Sequence, residues 1–171
     1  IGELIDEGLL VRVHGRGTFV ARPKLEQALA DNLITFSEDL ITQGIPFETT
    51  VLERTVASPN EQVSSPLNIA PGDKVFVLKR LRSVGGVPVI LLHNYVVYAR
   101  CPQIEAIDFK KHRLFVVLEQ LYGLHLAWGR RTFEARAGST SIRAHLELEK
   151  SDPLMYIQQL VHLDDGSPIE M

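Results

Sequence analysis

The sequence predicts an α+β domain, an antiparallel sheet with short flanking helices, entered through the end of a helix and a small basic hairpin. Three observations carry this. Residues 74–84 and 87–98 are rich in Val, Leu, Ile and Tyr and are joined by Gly85-Gly86, a two-residue connection suited to a tight hairpin. Two further strand patterns, 126–135 and 154–163, are separated by a short helical pattern at 139–146. The helical stretches are all short, with stops at Gly8, Gly44 and Gly123, so they serve to cover a sheet.

At the start, Ile1, Leu4 and Ile5 lie at helical spacing, and Gly8 is placed to end that helix in a left-handed cap. Residues 9–13 and 18–20 read as two short strands around the turn His14-Gly15-Arg16-Gly17. Arg12, His14 and Arg16 set donors on a narrow tip, a shape suited to phosphates or a minor groove. Residues 21–30 read as a linker, with Pro23, Arg22 and Lys24. Asp31 can cap a helix bearing Leu33, Ile34, Phe36, Leu40 and Ile41, which Gly44 and Pro46 stop. Residues 47–57 follow as a strand, 61–67 as a short helix, and Pro71-Gly72-Asp73 as a turn. After the central hairpin comes a helix at 114–122, closed by Gly123. Asp164-Asp165-Gly166 turns the chain into Pro168-Ile169-Glu170-Met171, a last strand expected to be cut short.

The chain has 171 residues, 45% of them hydrophobic and 23% charged, which allows one full domain and a fragment of another. Its net charge of −3 gives no global basic field, so any contact with nucleic acid must be local. The only cysteine, Cys101, excludes an internal disulfide and fits a reducing cytoplasm. No apolar run reaches the roughly 18 residues of a membrane helix. The six histidines show no metal-ligand spacing, and there is no phosphate-binding loop or nucleophile elbow. No metal, cofactor or membrane role is therefore expected.

Two stretches resemble a known family. The run Leu4, Glu7-Gly8-Leu9-Leu10 and Gly15-Arg16-Gly17-Thr18-Phe19-Val20 closely resembles the end of the winged helix-turn-helix domain of GntR-superfamily transcription regulators. From about residue 45 onward, the chain resembles the UTRA domain of the HutC-type GntR subfamily, a chorismate-lyase-like fold. The matching features are Pro71-Gly72-Asp73, Lys79-Arg80-Leu81-Arg82, Val87-Pro88-Val89, the helix end at 118–123, Asp152-Pro153-Leu154 and Asp165-Gly166-Ser167-Pro168-Ile169-Glu170. The resemblance implies three parts: residues 1–22 as the end of the DNA-binding domain, 23–44 as linker and helix, and 45–171 as an effector-binding and dimerisation domain with its last strand truncated. It implies a cytoplasmic, homodimeric regulator, most simply a repressor, and not an enzyme. Its partners would be operator DNA and a small anionic effector, an organic acid or a sugar phosphate. The DNA contacts implied are Arg12, His14, Gly15, Arg16, Gly17 and Thr18.

For the effector, Arg80 and Arg82 are two apart on a strand and so share a face, where two guanidiniums form a fork for a carboxylate or phosphate. The resemblance gives this pair and Glu170 an effector-binding role. Arg130, Thr132, Glu134 and Arg136 share one face of a strand, and Arg131 and Phe133 share the other; one of these faces should line the pocket, with Arg130 as the candidate. His93, Arg113 and Phe115 complete the expected set. Sugar-phosphate-responsive members carry Ser-x-Tyr where this chain has Arg113-Leu114-Phe115, which points to a smaller or more apolar anion. Ser139, with Thr140 and Ser141, could cradle an anion or simply cap a helix. Two other readings remain at this point: a chorismate-lyase-like enzyme acting on an aromatic carboxylate, and a ligand-free dimerisation module.

Overall fold

A computed structural model describes residue 2, residues 10–13, 15 and 17–20, and residues 36–171. The chain divides into two compact units, residues 1–31 and 32–171. In the first unit, β1 (Leu10–Val13) pairs antiparallel with β2 (Gly17–Val20), with Arg12 opposite Thr18. Gly15 and Gly17 take φ of 76° and 113°, the left-handed region that a side chain would resist, so the tight turn depends on them. The helix read from Ile1, Leu4 and Ile5, and the linker at 21–30, lie outside the described residues, as does the Asp31 cap.

The second unit is one six-stranded antiparallel sheet in the order β3 (Glu48–Ala57), β4 (Val75–Val84), β5 (Val87–Val97), β8 (Pro168–Glu170), β7 (Pro153–Leu163), β6 (Leu126–Ala137). The expected α+β architecture holds. At the β4–β5 turn, Gly85 and Gly86 both have positive φ, as a primed two-residue hairpin requires. Sequence order is broken in one place: β8, the last strand, inserts between β5 and β7 rather than at an edge.

Helix α1 (Phe36–Thr42) precedes β3, and α2 (Glu61–Ser64) follows it, capped by Asn60, whose side chain accepts from the Val63 amide. Helix α3 (Leu114–Gln120) repeats Leu114, Phe115, Val117 and Leu118 at helical spacing, and all four are buried. They pack with Phe109, Ile104 and Cys101 against Phe76, Leu78 and Val96 on one sheet face. Phe76 and Phe109 set their rings 5.5 Å apart. A smaller core on the other face joins Val63 and Leu67 to Val75 and Val77. Helix α4 (Thr140–Leu146) connects β6 to β7 and lies against β5. Ser139 caps it by accepting from the Ile142 amide, which is the plain capping role.

Candidate functional site

Alternation along β4 sends Phe76, Leu78, Arg80 and Arg82 to the face covered by α3. The first two finish the apolar core, and the two arginines continue the same row. Arg80 is 3% exposed and Arg82 4%. A buried guanidinium must find acceptors or stay costly, so the partners of each decide what the site can do.

Arg80 is held by a chain of side chains. Its Nη2 donates to Asn94 Oδ1 at 2.8 Å, and Asn94 Nδ2 donates to Glu170 Oε1 at 2.7 Å. Glu170 reaches this place through the turn after β7. There Asp165 Oδ1 accepts from the Ser167 amide at 2.8 Å, and Gly166 takes φ 76°. β8 then sets Glu170 opposite both Val96 and Val161. Glu170 is 1% exposed, and burial pushes its carboxyl up to about 7 against the opposing pull of Asn94, Arg80, Gln159 and Arg131. Arg131 Nε donates to Gln159 Oε1, and Gln159 hydrogen-bonds Glu170, so the network crosses from β4 to β6. Burial draws Arg80 down to about 10, with Glu170 working against it.

Arg82 has different company. Its guanidinium stands 5.2 Å from the centre of the Phe47 ring. Burial, and then the like charges of Arg80 and Arg113, draw it down to about 9, so it stays charged at neutral pH. It faces a cavity of about 290 Å³ lined by Ile41, Phe47, Thr49, Phe109, Lys110, Lys111, His112 and Arg113. Arg113 has Glu38 at 3.8 Å. Among the described residues, Arg82 Nε, Arg80 Nε and Nη1, and Glu170 Oε2 are buried without a hydrogen-bond partner. Three orphaned cationic donors and a basic cavity wall are the chemistry of an anion site, and the orphaned carboxylate oxygen can accept from a donor.

The structure therefore brings together Arg80, Arg82, Glu170 and Arg113, but not the rest of the expected set. Arg130 is exposed and pairs with Leu160, on the sheet face opposite Arg80, because Arg131 is the residue that shares a face with Gln159. His93 is also exposed on that opposite face, across from Lys79 and 3.4 Å from the Tyr95 hydroxyl. Phe115 is buried in the core and does not line the cavity. Of the residues expected to touch DNA, Arg12 and Thr18 are exposed on the hairpin, while His14 and Arg16 lie outside the described residues. Sequence reasoning missed Asn94, Gln159, Thr49 and the basic loop 110–112. Lys110-Lys111-His112-Arg113 was the available signal, a run of four cationic or titratable residues just before a helix.

Among the described residues, no His, Cys, Asp and Glu cluster could hold a metal ion, and no helix is long and apolar enough to cross a membrane. Comparison with known proteins gives the family. The chain is 24% identical over 170 residues to the HTH-type transcriptional repressor NagR of Bacillus subtilis, covering 99% of this chain and 69% of NagR. It is 28% identical over 157 residues to the histidine utilization repressor of Pseudomonas putida, covering 92% of this chain and 62% of that protein. The crystal structure of PhnF from Mycobacterium smegmatis superposes with a TM-score of 0.83 at 22% identity, covering 99% of this chain and 73% of that one, and so shares the fold. The two relatives are named as transcriptional repressors rather than enzymes. The UTRA domain model matches residues 42–171, and the chain belongs to that family.

Proposed function

We propose that this chain is the sensing part of a ligand-responsive transcription regulator, acting as a repressor. A small anionic metabolite binds at Arg82 and controls operator binding by a winged helix. The observation that carries this reading is the buried Arg82 guanidinium, whose Nε has no partner and which faces a cavity walled by Lys110, Lys111, His112 and Arg113. The cavity, at about 290 Å³, is at the small end of the roughly 300–1,000 Å³ of ligand sites, which favours a compact organic acid or a small phosphate ester. Arg80 continues the same sheet face beside Arg82, and Thr49, opposite Arg82 on β3, offers a hydroxyl at the cavity wall.

In a homodimer, binding shifts the balance between two arrangements of the DNA-reading parts only if the effector prefers one of them, with a coupling of about 1–3 kcal/mol. The spacing of the two operator half-sites then decides which arrangement binds DNA. The hairpin carries the exposed Arg12 and Thr18 for backbone or minor-groove contact.

A thermal-shift screen of organic acids and sugar phosphates tests the reading. At a hundredfold excess over Kd, a true ligand adds about 2.7 kcal/mol of stability, and Arg82→Ala abolishes that gain. If no anion shifts the melting temperature, the chain is a ligand-free dimerisation module and the sensing role is wrong. Turnover of a chorismate-like acid by the purified chain would contradict the regulator reading.

A further inference from the structure

The cavity in front of Arg82 has a second guanidinium in its wall. Arg113 lines it from the loop ahead of α3, and acts on Arg82 as a like charge. Among the described residues, the lining also holds Lys110 and Lys111 and no Asp or Glu. One carboxylate at Arg82 answers only part of that charge, and a complementary ligand needs a second.

Arg113 occupies its position at the expense of its own helix. Asn60 caps α2 and Ser139 caps α4, each accepting from an amide of the first turn. Arg113 stands at the same place before α3 and makes no such bond, because a guanidinium has no acceptor. The chain forgoes a stabilising cap there. The side chain is committed elsewhere, to the cavity wall and to Glu38 of α1 at 3.8 Å. That ion pair is longer than a hydrogen bond, and its side chains are 40% and 36% exposed, so water screens it. An anion inside the cavity can take the place of Glu38 at small cost.

The cavity is also too large for one acid group. Its volume of about 290 Å³ is room for about ten waters at roughly 30 Å³ each. Ile41, Phe47 and Phe109 give it an apolar wall suited to a short carbon chain. We propose that Arg113 sets the specificity of this site: it exchanges Glu38 for the far acid group of a short dicarboxylate whose near acid group sits at Arg82. This rests on the anion site proposed above and adds the second charge and the residue that reads it.

Calorimetry on the full chain with succinate and succinamate at neutral pH tests it, because the two share a skeleton and differ by one charge. Succinate should bind about tenfold tighter or more, as expected for one added charge-assisted hydrogen bond. Arg113→Ser, which supplies α3 with a cap, should shrink that preference to about twofold or less and leave succinamate within about twofold of its original affinity. Glu38→Gln removes the competitor and should raise succinate affinity by about threefold relative to succinamate. Equal binding of the two probes, equal losses for both in Arg113→Ser, or tighter binding of inorganic phosphate than of succinate overturns the proposal. An unchanged ratio in Glu38→Gln overturns the exchange with Glu38. In all of these results an anion still binds, so the sensing site stands without its second charge. Absence of binding by all three probes overturns the dicarboxylate, and the wider melting screen then decides separately whether the anion site falls with it.

Discussion

Arg80 and Arg82 stand two residues apart on one face of β4, equally buried, yet their surroundings have opposite character. Arg80 is tied through Asn94 to a buried carboxylate and sits in a network of amides reaching Arg131 on the far strand. Arg82 has an aromatic ring, a threonine and four neighbours of basic type, Lys110, Lys111, His112 and Arg113. Identical residue types in one row thus divide the work. The Arg80 side is linked through Asn94 to a carboxylate of opposite charge, although Arg80 Nε and Nη1 stay unpaired, while the Arg82 side carries excess positive charge into a cavity. Buried like charges raise the free energy of that side, and in the proposed function an incoming anion relieves it. The sharpest tests are those that separate the two arginines.

The largest effect is expected from breaking the Arg80 side. Glu170→Ala leaves the Asn94 amide without its acceptor and the buried Arg80 guanidinium without the carboxylate to which Asn94 links it, and should cost about 3–5 kcal/mol of stability in urea unfolding. Arg82→Ala removes a repelled cation and should change stability by less than about 1 kcal/mol. Equal losses in the two variants would abolish the division.

The same carboxylate gives a pH signature. Its folded value of about 7 lies above the ordinary 4.5, so between those pH values the folded chain keeps a proton that the unfolded chain releases. The Glu170 contribution is therefore full below pH 4.5 and is lost as pH rises through 7. Glu170→Gln, which keeps an acceptor for Asn94, should flatten the stability curve over that window. An unchanged slope in urea unfolding from pH 5 to 7.5 would show that another group titrates there.

On the open side, the readout is affinity. Removing the Arg82 donors should weaken an anion found in the thermal screen by about 10- to 100-fold in calorimetry, as expected for one or two charge-assisted hydrogen bonds. Lys110→Ala should weaken it less, since an exposed ammonium at the cavity wall is screened by water and salt.

Much of this was legible in the sequence, for reasons of local geometry. Gly85-Gly86 fixed the central hairpin, and the two-residue spacing of Arg80 and Arg82 placed both on one face whatever lay beyond. The insertion of β8 between β5 and β7 was not legible, because no local pattern encodes which strands a last segment pairs with. Asn94 was hidden for the same reason: its role exists only once Glu170 arrives beside it. The basic loop at 110–113 has no periodicity, and its place over Arg82 follows from long-range packing of Phe109 on Phe76. Arg130 and Arg131 show the limit most clearly. Alternation says that they face opposite ways, but only the pairing of β6 with β7 says which one faces the site.

That pair gives the smallest and most discriminating prediction. Arg131 lends positive charge to Glu170 and braces Gln159, which hydrogen-bonds it. Arg131→Ala removes an influence that lowers the Glu170 carboxyl, so its titration should move upward and the pH window of stability loss should widen toward alkaline pH. Arg130 is exposed on the opposite face, so Arg130→Ala should leave that window in place and alter stability by no more than about 0.5 kcal/mol. The two substitutions remove the same side chain from adjacent residues on one strand. A different pH midpoint in urea titrations therefore reports which face each occupies, independently of any ligand. If Arg130→Ala moved the midpoint as far as Arg131→Ala, the register of β6 against β7 would be wrong, and the network around Glu170 with it.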